Sequence, residues 1–412
     1  MAERLRAYQL LQAFALIIHA ARHAPHWAVS LAAFKDLRPG GLTEAGFAAL
    51  PILTRAAAQR AGPALRSRAV PKAHGAVQEA ATSGSSGTPF TVARSRLDRL
   101  MAAAPVQRGR RWNQHDLALP LLAVARMDAA HMDAGAPETA DGWSEVFPTG
   151  PGHTIDLRRP AKEILERICA LSPAYVSIWP GLLGELLRLS ARRGLRPAGL
   201  RQVMTYGETA PPGLAALCAA AWGAPLSDTS SYEEVGPLAP TCPEGRLHIQ
   251  SEHAIVEVLD DADRPCAAGE TGRVVVTNLH NFAMPTIRMK LGDLATVGPP
   301  CPCGRGLPVL ARIGGPARDL PTLPDGLRVM PSFDERLITA AAPLLRRHQL
   351  AQQANGRIAV SLVADAPLNP AQQEMLAAAF DAGLGHRFEH EFRAVPAIVG
   401  KPGAKSRPWV AR

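Results

Sequence analysis

A short stretch between residues 81 and 90 has the residue types that bind phosphate. It reads Ala-Thr-Ser-Gly-Ser-Ser-Gly-Thr-Pro-Phe, so five of its ten residues are Ser or Thr and two are Gly. Glycines let a backbone turn with positive φ and approach a ligand closely, and successive N–H groups and hydroxyls donate to phosphate oxygens. A flexible Ser/Gly linker is the alternative. The candidate phosphate-binding residues are Thr82, Ser83, Gly84, Ser85, Ser86, Gly87 and Thr88.

Three cysteines and a histidine have the residue types of a structural zinc site. Cys242 and His248 form a Cys-x5-His pattern, and Cys301 and Cys303 follow as Cys-x-Cys. Three thiolates and one imidazole make a closed tetrahedral donor set. The alternative is a group of buried free thiols beside a surface histidine. Cys169, Cys218 and Cys266 have no partners by spacing.

Composition limits the classes of function. The chain has 412 residues, 47% of them hydrophobic, which is enough for a large core and for more than one domain. Its formal charge of +9 comes mostly from dispersed Arg residues, without the basic runs and interleaved aromatics of a nucleic-acid-binding protein. Six cysteines are too few for a disulfide scaffold.

The apolar run Leu10–Ala21 near the N-terminus has to be weighed as a signal peptide or a membrane anchor. Gln12 and His19 interrupt the run, and no convincing cleavage site follows it. Apolar side chains such as Leu5, Leu11 and Phe14 instead recur at helical spacing. We therefore predict an amphipathic helix, no membrane span and a cytoplasmic protein.

Residues 161–236 alternate helical patterns with short apolar strands, which is typical of an α/β domain. In doubly wound sheets, ligands bind beyond the carboxyl ends of the strands. Gly207 and Glu208 follow one predicted strand, Gln202–Tyr206. The segment Tyr232–Gly236 follows the next one. Both positions are therefore where a site is expected.

The C-terminal residues predict a small α+β domain. Ser332 and Glu335 stand at capping-box spacing before a predicted helix. Residues 358–363 and 388–395 have the pattern of strands, and Asn369-Pro370 is an N-cap signal for a second helix. We predict an α/β protein that ends in a small α+β domain.

A series of motifs in order resembles adenylate-forming enzymes, and specifically their phenylacetate–coenzyme A ligase branch. The Ser/Gly loop comes first, followed by Gly207-Glu208 and then by the pattern Asp-x-x-x-x-x-Glu-Val-Gly, which ends at Gly236. The segment Met284–Leu294 is similar to the family's Pro-x-Ile-Arg-Tyr-Arg-Thr-Gly-Asp-Leu, and residues 312–319 resemble its domain hinge. The tail from Gly400 resembles the family's Gly-Lys-x-x-Arg.

The resemblance implies roles for individual residues. Catalytic roles are implied for Lys405, Glu234 and Thr88, with Lys405 preferred over Lys401 as the catalytic lysine. The Glu234 carboxylate would bind the ATP magnesium, as suits a hard cation, although an exposed acidic turn is the alternative. Asp293 would accept the ribose hydroxyls. Further expected nucleotide contacts, beside the residues of the Ser/Gly loop, are Gly207, Glu208, Tyr232 and Arg318. The resemblance also implies a hinge at Asp319 between a large multi-sheet α/β domain over residues 1–318 and a small mobile α+β lid domain over residues 319–412.

Three positions depart from the family pattern near the presumed adenosine. Ser230 stands where an aromatic is usual, Met289 replaces a tyrosine, and Pro316 replaces an arginine that ordinarily reaches the nucleotide. Members of the family often carry Cys-x5-His followed by Cys-x-Cys-Gly-Arg. Residues 242–248 and 301–305 match that pattern, which favours zinc over free thiols.

The implied function is ATP-dependent activation of a small carboxylic acid, with an aryl acid preferred, to an acyl-adenylate. Transfer to the thiol of coenzyme A would follow. Transfer to a carrier-protein thiol or to an amine is the enzymatic alternative, and a non-catalytic nucleotide-binding relative is the other. The expected cofactors and substrates are ATP, Mg²⁺, coenzyme A and structural Zn²⁺, with no nucleic acid or membrane partner. A homodimer is left open.

Overall fold

The computed structural model describes residues 2–81, 90–127, 138–144, 147–232, 234–316, 319–398 and 407–410. The helices of these residues are α1 (Ala2–His23), α2 (Pro25–Ser30), α3 (Glu44–Ala48), α4 (Arg55–Ala61), α5 (Arg96–Trp112), α6 (Ala161–Leu171), α7 (Pro180–Arg193), α8 (Leu214–Trp222), α9 (Glu335–Ala341) and α10 (Pro370–Leu384). The strands are β1 (Val77–Ala81), β2 (Thr91–Ser95), β3 (Leu121–Ala125), β4 (Glu138–Ala140), β5 (Gly152–Asp156), β6 (Tyr175–Ile178), β7 (Gln202–Tyr206), β8 (Leu226–Tyr232), β9 (Gly236–Pro240), β10 (Leu247–His248), β11 (Ala254–Leu259), β12 (Thr271–Asn278), β13 (Met289–Val297), β14 (Val309–Pro316), β15 (Leu345–Gln352), β16 (Ile358–Ala364), β17 (His390–Ala394) and β18 (Trp409–Val410).

The chain forms two compact units, and each is made of two separate stretches of sequence. The first contains Met1–His115 and Thr229–Ile313, and the second contains Asp116–Asp228 and Gly314–Arg412. Strand β8 begins in the second unit and ends in the first. The predicted boundary between residues 318 and 319 stays a prediction.

The N-terminal helices of the first unit pack around one apolar core. Helix α1 contributes Leu16 and Ile17, both fully buried, and α2 contributes Trp27, whose indole N–H donates to the carbonyl of Pro285 over 2.9 Å. The buried stripe of α1 differs from the predicted face, since Leu11 is 57% exposed. Helix α1 is apolar around most of its circumference, so periodicity alone selects its face poorly. Among the described residues, no helix combines the length and hydropathy that a membrane span requires.

A five-stranded sheet organises the rest of the first unit. Its strands lie in the order β10-β14-β13-β12-β11. Strands β11 and β12 pair antiparallel, with Val256 opposite Val276, and β12 pairs antiparallel with β13. Val274 and Val276 are fully buried and pack in a core that includes Ile313. This sheet positions two residues predicted from the sequence, Asp293 on β13 and His248 on β10.

The first stretch of the second unit is an α/β layer built on parallel strands. The strand order is β4-β5-β3-β6-β7-β8, and β3 pairs in parallel with both β5 and β6. Helices α6, α7 and α8 connect consecutive strands from β5 to β8. Their apolar faces bury Ile164, Leu183 and Leu214 against Val176 and Val203. The predicted alternation of helices and strands is confirmed here.

The second stretch of this unit has an α+β composition, as predicted. Its sheet order is β17-β16-β15-β18, and α9 and α10 share a core with it that includes Phe333, Phe380 and Trp409. Arg188 of α7 forms a buried ion pair with Glu335 of α9. The observed architecture, a multi-sheet α/β protein with a small α+β C-terminal part, agrees with the predicted fold class.

The predicted capping box at Ser332 is wrong. The N-cap of α9 is Asp334, whose carboxylate accepts a hydrogen bond of 2.9 Å from the N–H of Arg336. The N–H of Ser332 donates instead to the carbonyl of Gly383 over 2.8 Å. An aspartate one residue before the helix is an equally good cap, and tertiary packing decides between the two.

Candidate functional site

Strands β1 and β2 flank the predicted phosphate loop. They pair antiparallel with Ala81 opposite Thr91. Phe90, which directly follows the loop, is 6% exposed. Several predicted site residues lie outside the described residues, namely Thr82, Ser83, Gly84, Ser85, Ser86, Gly87, Thr88, Arg318 and Lys405.

Glu234 lies in the tight connection between β8 and β9. The N–H of Val235 donates to the carbonyl of Tyr232 over 3.2 Å, and Nε2 of His253 lies 2.6 Å from the Val235 carbonyl. The Glu234 side chain is buried and forms an ion pair with the guanidinium of Arg55. A buried carboxylate needs such a partner, because an unpaired charge away from water is very unfavourable.

Tyr232 and Asp293 meet in the same unit. Burial raises the pKa of the Tyr232 phenol well above its ordinary value, and the charge of Asp293 and a hydrogen bond to its carboxylate raise the pKa further. The phenol is therefore a neutral donor at physiological pH. Gly292, next to Asp293, has a φ of +95°, a conformation that favours glycine. The end of β8 and the middle of β13 thus come together.

The structure therefore brings Tyr232, Glu234 and Asp293 together in the first unit, at the end of β8, in the turn that follows it and in the middle of β13. A carboxylate such as Glu234 can bind a hard cation, and a phenol beside a fixed carboxylate offers a donor and acceptors for hydroxyl groups. The sequence did not predict Arg55 or His253 as members of this site. A lone Arg in a helical region and a lone His carry no motif, so neither position had a signal in the sequence.

Gly207 and Glu208 belong to the second unit and follow β7, as predicted. The Glu208 carboxylate accepts a hydrogen bond of 2.9 Å from the N–H of Gly181 in the first turn of α7. Acidic groups stabilise helix N-termini because they satisfy free N–H groups and complement the helix dipole. A β-carbon at Gly207 would lie 3.1 Å from Nε1 of Trp179, and its φ is +78°. Both residues have clear structural roles in this turn.

Cys242, His248, Cys301 and Cys303 form one cluster in the first unit. Their donor atoms all lie within 4.8 Å of one another. The Sγ atoms of Cys242 and Cys301 are 3.8 Å apart, and Sγ of Cys303 lies 3.3 Å from Nε2 of His248. Zinc–ligand bonds of about 2.0–2.3 Å place the corners of a tetrahedron roughly 3.6–3.8 Å apart. The donor set and its spacing therefore fit a zinc ion.

The surroundings of this cluster favour a thiolate. Burial alone would raise the pKa of the Cys303 thiol, but hydrogen bonds from the backbone and side chain of Arg305 and from the neighbouring thiols lower the pKa to about 7. Burial lowers the pKa of His248, which keeps the ring neutral and able to bind a metal. The rings of Trp112 and His248 form a T-shaped contact with centroids 5.5 Å apart, and the Arg305 guanidinium lies 4.9 Å from the centroid of the Trp112 ring.

Two of the positions that depart from the family pattern, Met289 and Ser230, lie in different surroundings. Met289 is 1% exposed and belongs to the apolar core of the first unit, which also contains Leu53. Ser230 lies on β8 and forms a hydrogen bond with Tyr232. This bond lowers the pKa of the phenol, whereas burial and the charge of Asp293 raise it. Asp319, the predicted hinge residue, begins the described residues after β14.

Comparison with known proteins gave similarities in three dimensions only. No family model and no curated protein matches the sequence. A solved structure of 2-hydroxyisobutyryl-CoA ligase in the postadenylation state aligns with 99% of this chain and 89% of its own, at 21% identity and a TM-score of 0.74. The anthranilate CoA ligase AuaEII with anthranoyl-AMP aligns over 79% of this chain and 65% of its own, at 15% identity and a TM-score of 0.58.

The amide bond synthetase McbA from Marinactinospora thermotolerans aligns with 98% of this chain and 92% of its own. Its identity is 18% and its TM-score 0.54. These proteins carry the fold expected from the motif order in the sequence. The chain therefore has the fold of adenylate-forming ligases.

Proposed function

We propose that this protein is an AMP-forming ligase that activates a small carboxylic acid with ATP and transfers the acyl group to the thiol of coenzyme A. The observation that carries the proposal is the meeting of Tyr232, Glu234 and Asp293, three residues expected at the nucleotide site from the sequence. The ligase fold supports it, since two proteins of this fold are CoA ligases solved with acyl-AMP ligands.

In the first step, a carboxylate oxygen of the acid attacks the α-phosphorus of ATP. A new acyl–O–P bond forms, the bond between the α- and β-phosphates breaks, and pyrophosphate leaves with its electron pair. Lys405 would hold the carboxylate against the α-phosphate as a positioned cation. Donors from Thr82–Thr88 would stabilise charge on the phosphates, and Asp293 would hold the ribose hydroxyls.

Magnesium fits the carboxylate of Glu234, since hard cations prefer oxygen ligands. A bound magnesium ion would neutralise part of the negative charge of the phosphates. In this structure the Glu234 carboxylate is paired with Arg55, so the same group would have to exchange partners when the cation binds.

In the second step, the thiol of coenzyme A attacks the acyl carbon and AMP leaves. The thiol loses its proton to water, the bond between the acyl carbon and the AMP oxygen breaks, and a thioester forms. In the proposed cycle the C-terminal domain over residues 319–412 turns about Asp319 between the two steps. This rotation would move Lys405 away from the site before the thiol attacks.

The cluster of Cys242, His248, Cys301 and Cys303 would hold a structural zinc ion. Its four protein ligands leave no open position for a substrate. The ion would join the turn after β9, strand β10 and the loop after β13, and so stabilise the first unit. It has no role in the proposed chemistry.

A different acceptor is the alternative function. McbA, a protein of the same fold, is an amide bond synthetase, so an amine acceptor suits this architecture. A carrier-protein thiol is a further acceptor for the same acyl-adenylate. A non-catalytic nucleotide-binding protein would retain ATP binding without pyrophosphate release.

A screen of acids and acceptors tests the proposal. The purified protein is incubated with Mg·ATP and a panel of aryl, amino and short aliphatic acids, and pyrophosphate release is measured with hydroxylamine present to trap the acyl group. Acids that score are then tested with coenzyme A and with amines. Thioester formation supports the proposed function, and amide formation alone supports the alternative acceptor. ATP binding without release of pyrophosphate for any acid contradicts both.

A further inference from the structure

Arg55 lies in the N-terminal region, before the first of the predicted site residues. It is the first residue of α4, and Thr54 caps that helix by accepting a hydrogen bond of 3.1 Å from the N–H of Ala57. Leu53 forms a parallel bridge with Met289 at the start of β13. The backbone that leads into Arg55 is therefore fixed at one end by a strand and at the other by a helix cap.

The Arg55 guanidinium contacts two segments of the candidate nucleotide site. It forms an ion pair with Glu234, and it lies 5.2 Å from the ring centroid of Phe90. The Arg55 side chain is 25% exposed, whereas the Glu234 side chain is 6% exposed. Phe90 directly follows the predicted phosphate loop, and Glu234 is the predicted magnesium ligand. The guanidinium thus contacts both Phe90, which follows the predicted phosphate loop, and Glu234, the predicted magnesium ligand.

This placement creates a competition for one carboxylate. Glu234 is buried and needs a positive charge beside it, and Arg55 supplies that charge in the free protein. A divalent cation at Glu234 would remove the need for Arg55. The released guanidinium would remain close to Phe90, the residue that follows the predicted phosphate loop in sequence, and its planar fork matches phosphate oxygens.

We infer that Arg55 is a positioning residue of the nucleotide site with two states. It neutralises Glu234 in the free protein, and it turns to the triphosphate of ATP when a divalent cation takes over the Glu234 carboxylate. This inference rests on the proposed function, since it requires an ATP site.

Another ion pair of the first unit shows what a purely structural arrangement looks like. Arg288 is 3% exposed, pairs with Glu257 and also donates to the carbonyls of Ala48 and Leu50. Its guanidinium is almost completely buried and is bound by one carboxylate and two backbone carbonyls. The Arg55 side chain, by contrast, is 25% exposed and has the Phe90 ring as a neighbour. Its exposed part gives it space to change partners.

The test measures ATP binding by calorimetry in EDTA and in saturating Mg²⁺. Arg55→Gln is expected to weaken binding in EDTA by about tenfold or more, because an unpaired Glu234 then repels the triphosphate. In Mg²⁺ the same variant loses only the phosphate contact, so the expected weakening is about threefold. Binding thus becomes more dependent on Mg²⁺. Glu234→Gln has the opposite effect in EDTA, where binding tightens because the buried negative charge beside Arg55 is removed and no longer opposes the triphosphate.

Matched variants separate this role from a structural one. Arg55→Gln combined with Glu234→Gln should bind ATP in EDTA more tightly than Arg55→Gln alone, since the repelling charge is gone. Arg60→Gln, at the exposed far end of the same helix, should bind as the wild type does in both buffers. Arg55→Lys keeps the charge, and its binding in EDTA should lie between those of the wild type and Arg55→Gln.

Two results would overturn the inference and differ from each other. Equal weakening by Arg55→Gln in EDTA and in Mg²⁺, with no recovery in the double variant, would make the ion pair merely structural and leave the proposed function intact. Failure of the wild-type protein to bind ATP in Mg²⁺ would overturn both the inference and the proposed function.

Discussion

The Sγ atom of Cys303 lies 3.3 Å from Nε2 of His248, although 55 residues separate the two in sequence. Strand β10 carries His248 and pairs with β14, where His248 lies opposite Val309. The loop between β13 and β14 carries Cys303. Sheet pairing alone therefore brings the two halves of the predicted zinc set together.

The first prediction is one zinc ion per chain. Elemental analysis of protein purified without chelator should give a stoichiometry near one, and removal of the ion should lower the melting temperature, because metal binding at a structural site is coupled to folding. Cys303→Ala should lose the metal and destabilise the protein. Cys169→Ala removes a half-buried thiol of the other unit and should retain the metal. If the purified protein contains no zinc and is as stable as protein supplied with zinc, the cluster is a group of packed free thiols and the prediction is wrong.

The second prediction concerns His253 and acid. Burial lowers the pKa of His253 to about 4, against 6.5 for the free group. Between these values the unfolded chain binds more protons than the folded one, so stability is present above pH 6.5 and is lost as the pH falls towards 4. The loss should be about 3 kcal/mol, since one pKa unit is worth about 1.4 kcal/mol.

Urea unfolding of the wild type and of His253→Gln at neutral and acidic pH measures this effect. Glutamine keeps a donor for the Val235 carbonyl but does not titrate, so the variant should lose less stability than the wild type on acidification. If the two proteins lose the same stability over this range, His253 does not titrate as described.

The third prediction separates two lysines of the C-terminal tail. If Lys405 positions the carboxylate against the α-phosphate, Lys405→Ala should slow adenylate formation by on the order of 10²–10³. ATP affinity should change little, and thioester formation from a preformed acyl-adenylate should be largely retained. Lys401→Ala should be mild in both assays. If Lys401→Ala strongly slows adenylate formation and Lys405→Ala does not, Lys401 rather than Lys405 is the catalytic lysine.

The α/β stretch of the second unit could be predicted closely from the sequence. The predicted strand Gln202–Tyr206 has the same bounds as β7, because its apolar pattern is bounded by polar residues and glycine. Helix α10 also begins where its cap signal indicated, with a complete capping box between Asn369 and Gln372. Local chemistry sets all of these boundaries.

Contacts between distant segments could not be predicted in the same way. Arg55 meets Glu234 across 179 residues of sequence, and nothing near Arg55 distinguishes it from the many other arginines of the chain. Glu208, whose expected nucleotide contact stays a prediction, accepts a hydrogen bond from Gly181 at the N-terminus of α7, and no motif indicated that contact. Both contacts depend on how sheets and helices pack, which no local pattern encodes.

The central claim is that a carboxylate attacks the α-phosphorus of ATP. An acid that scores in the screen, labelled with ¹⁸O in its carboxylate, tests this most directly by mass spectrometry of the nucleotide product. Attack at the α-phosphorus followed by acyl transfer leaves one ¹⁸O in AMP, with unlabelled pyrophosphate, and this is the predicted result. Label in inorganic phosphate with ADP as the nucleotide product would mean attack at the γ-phosphorus and would contradict the account.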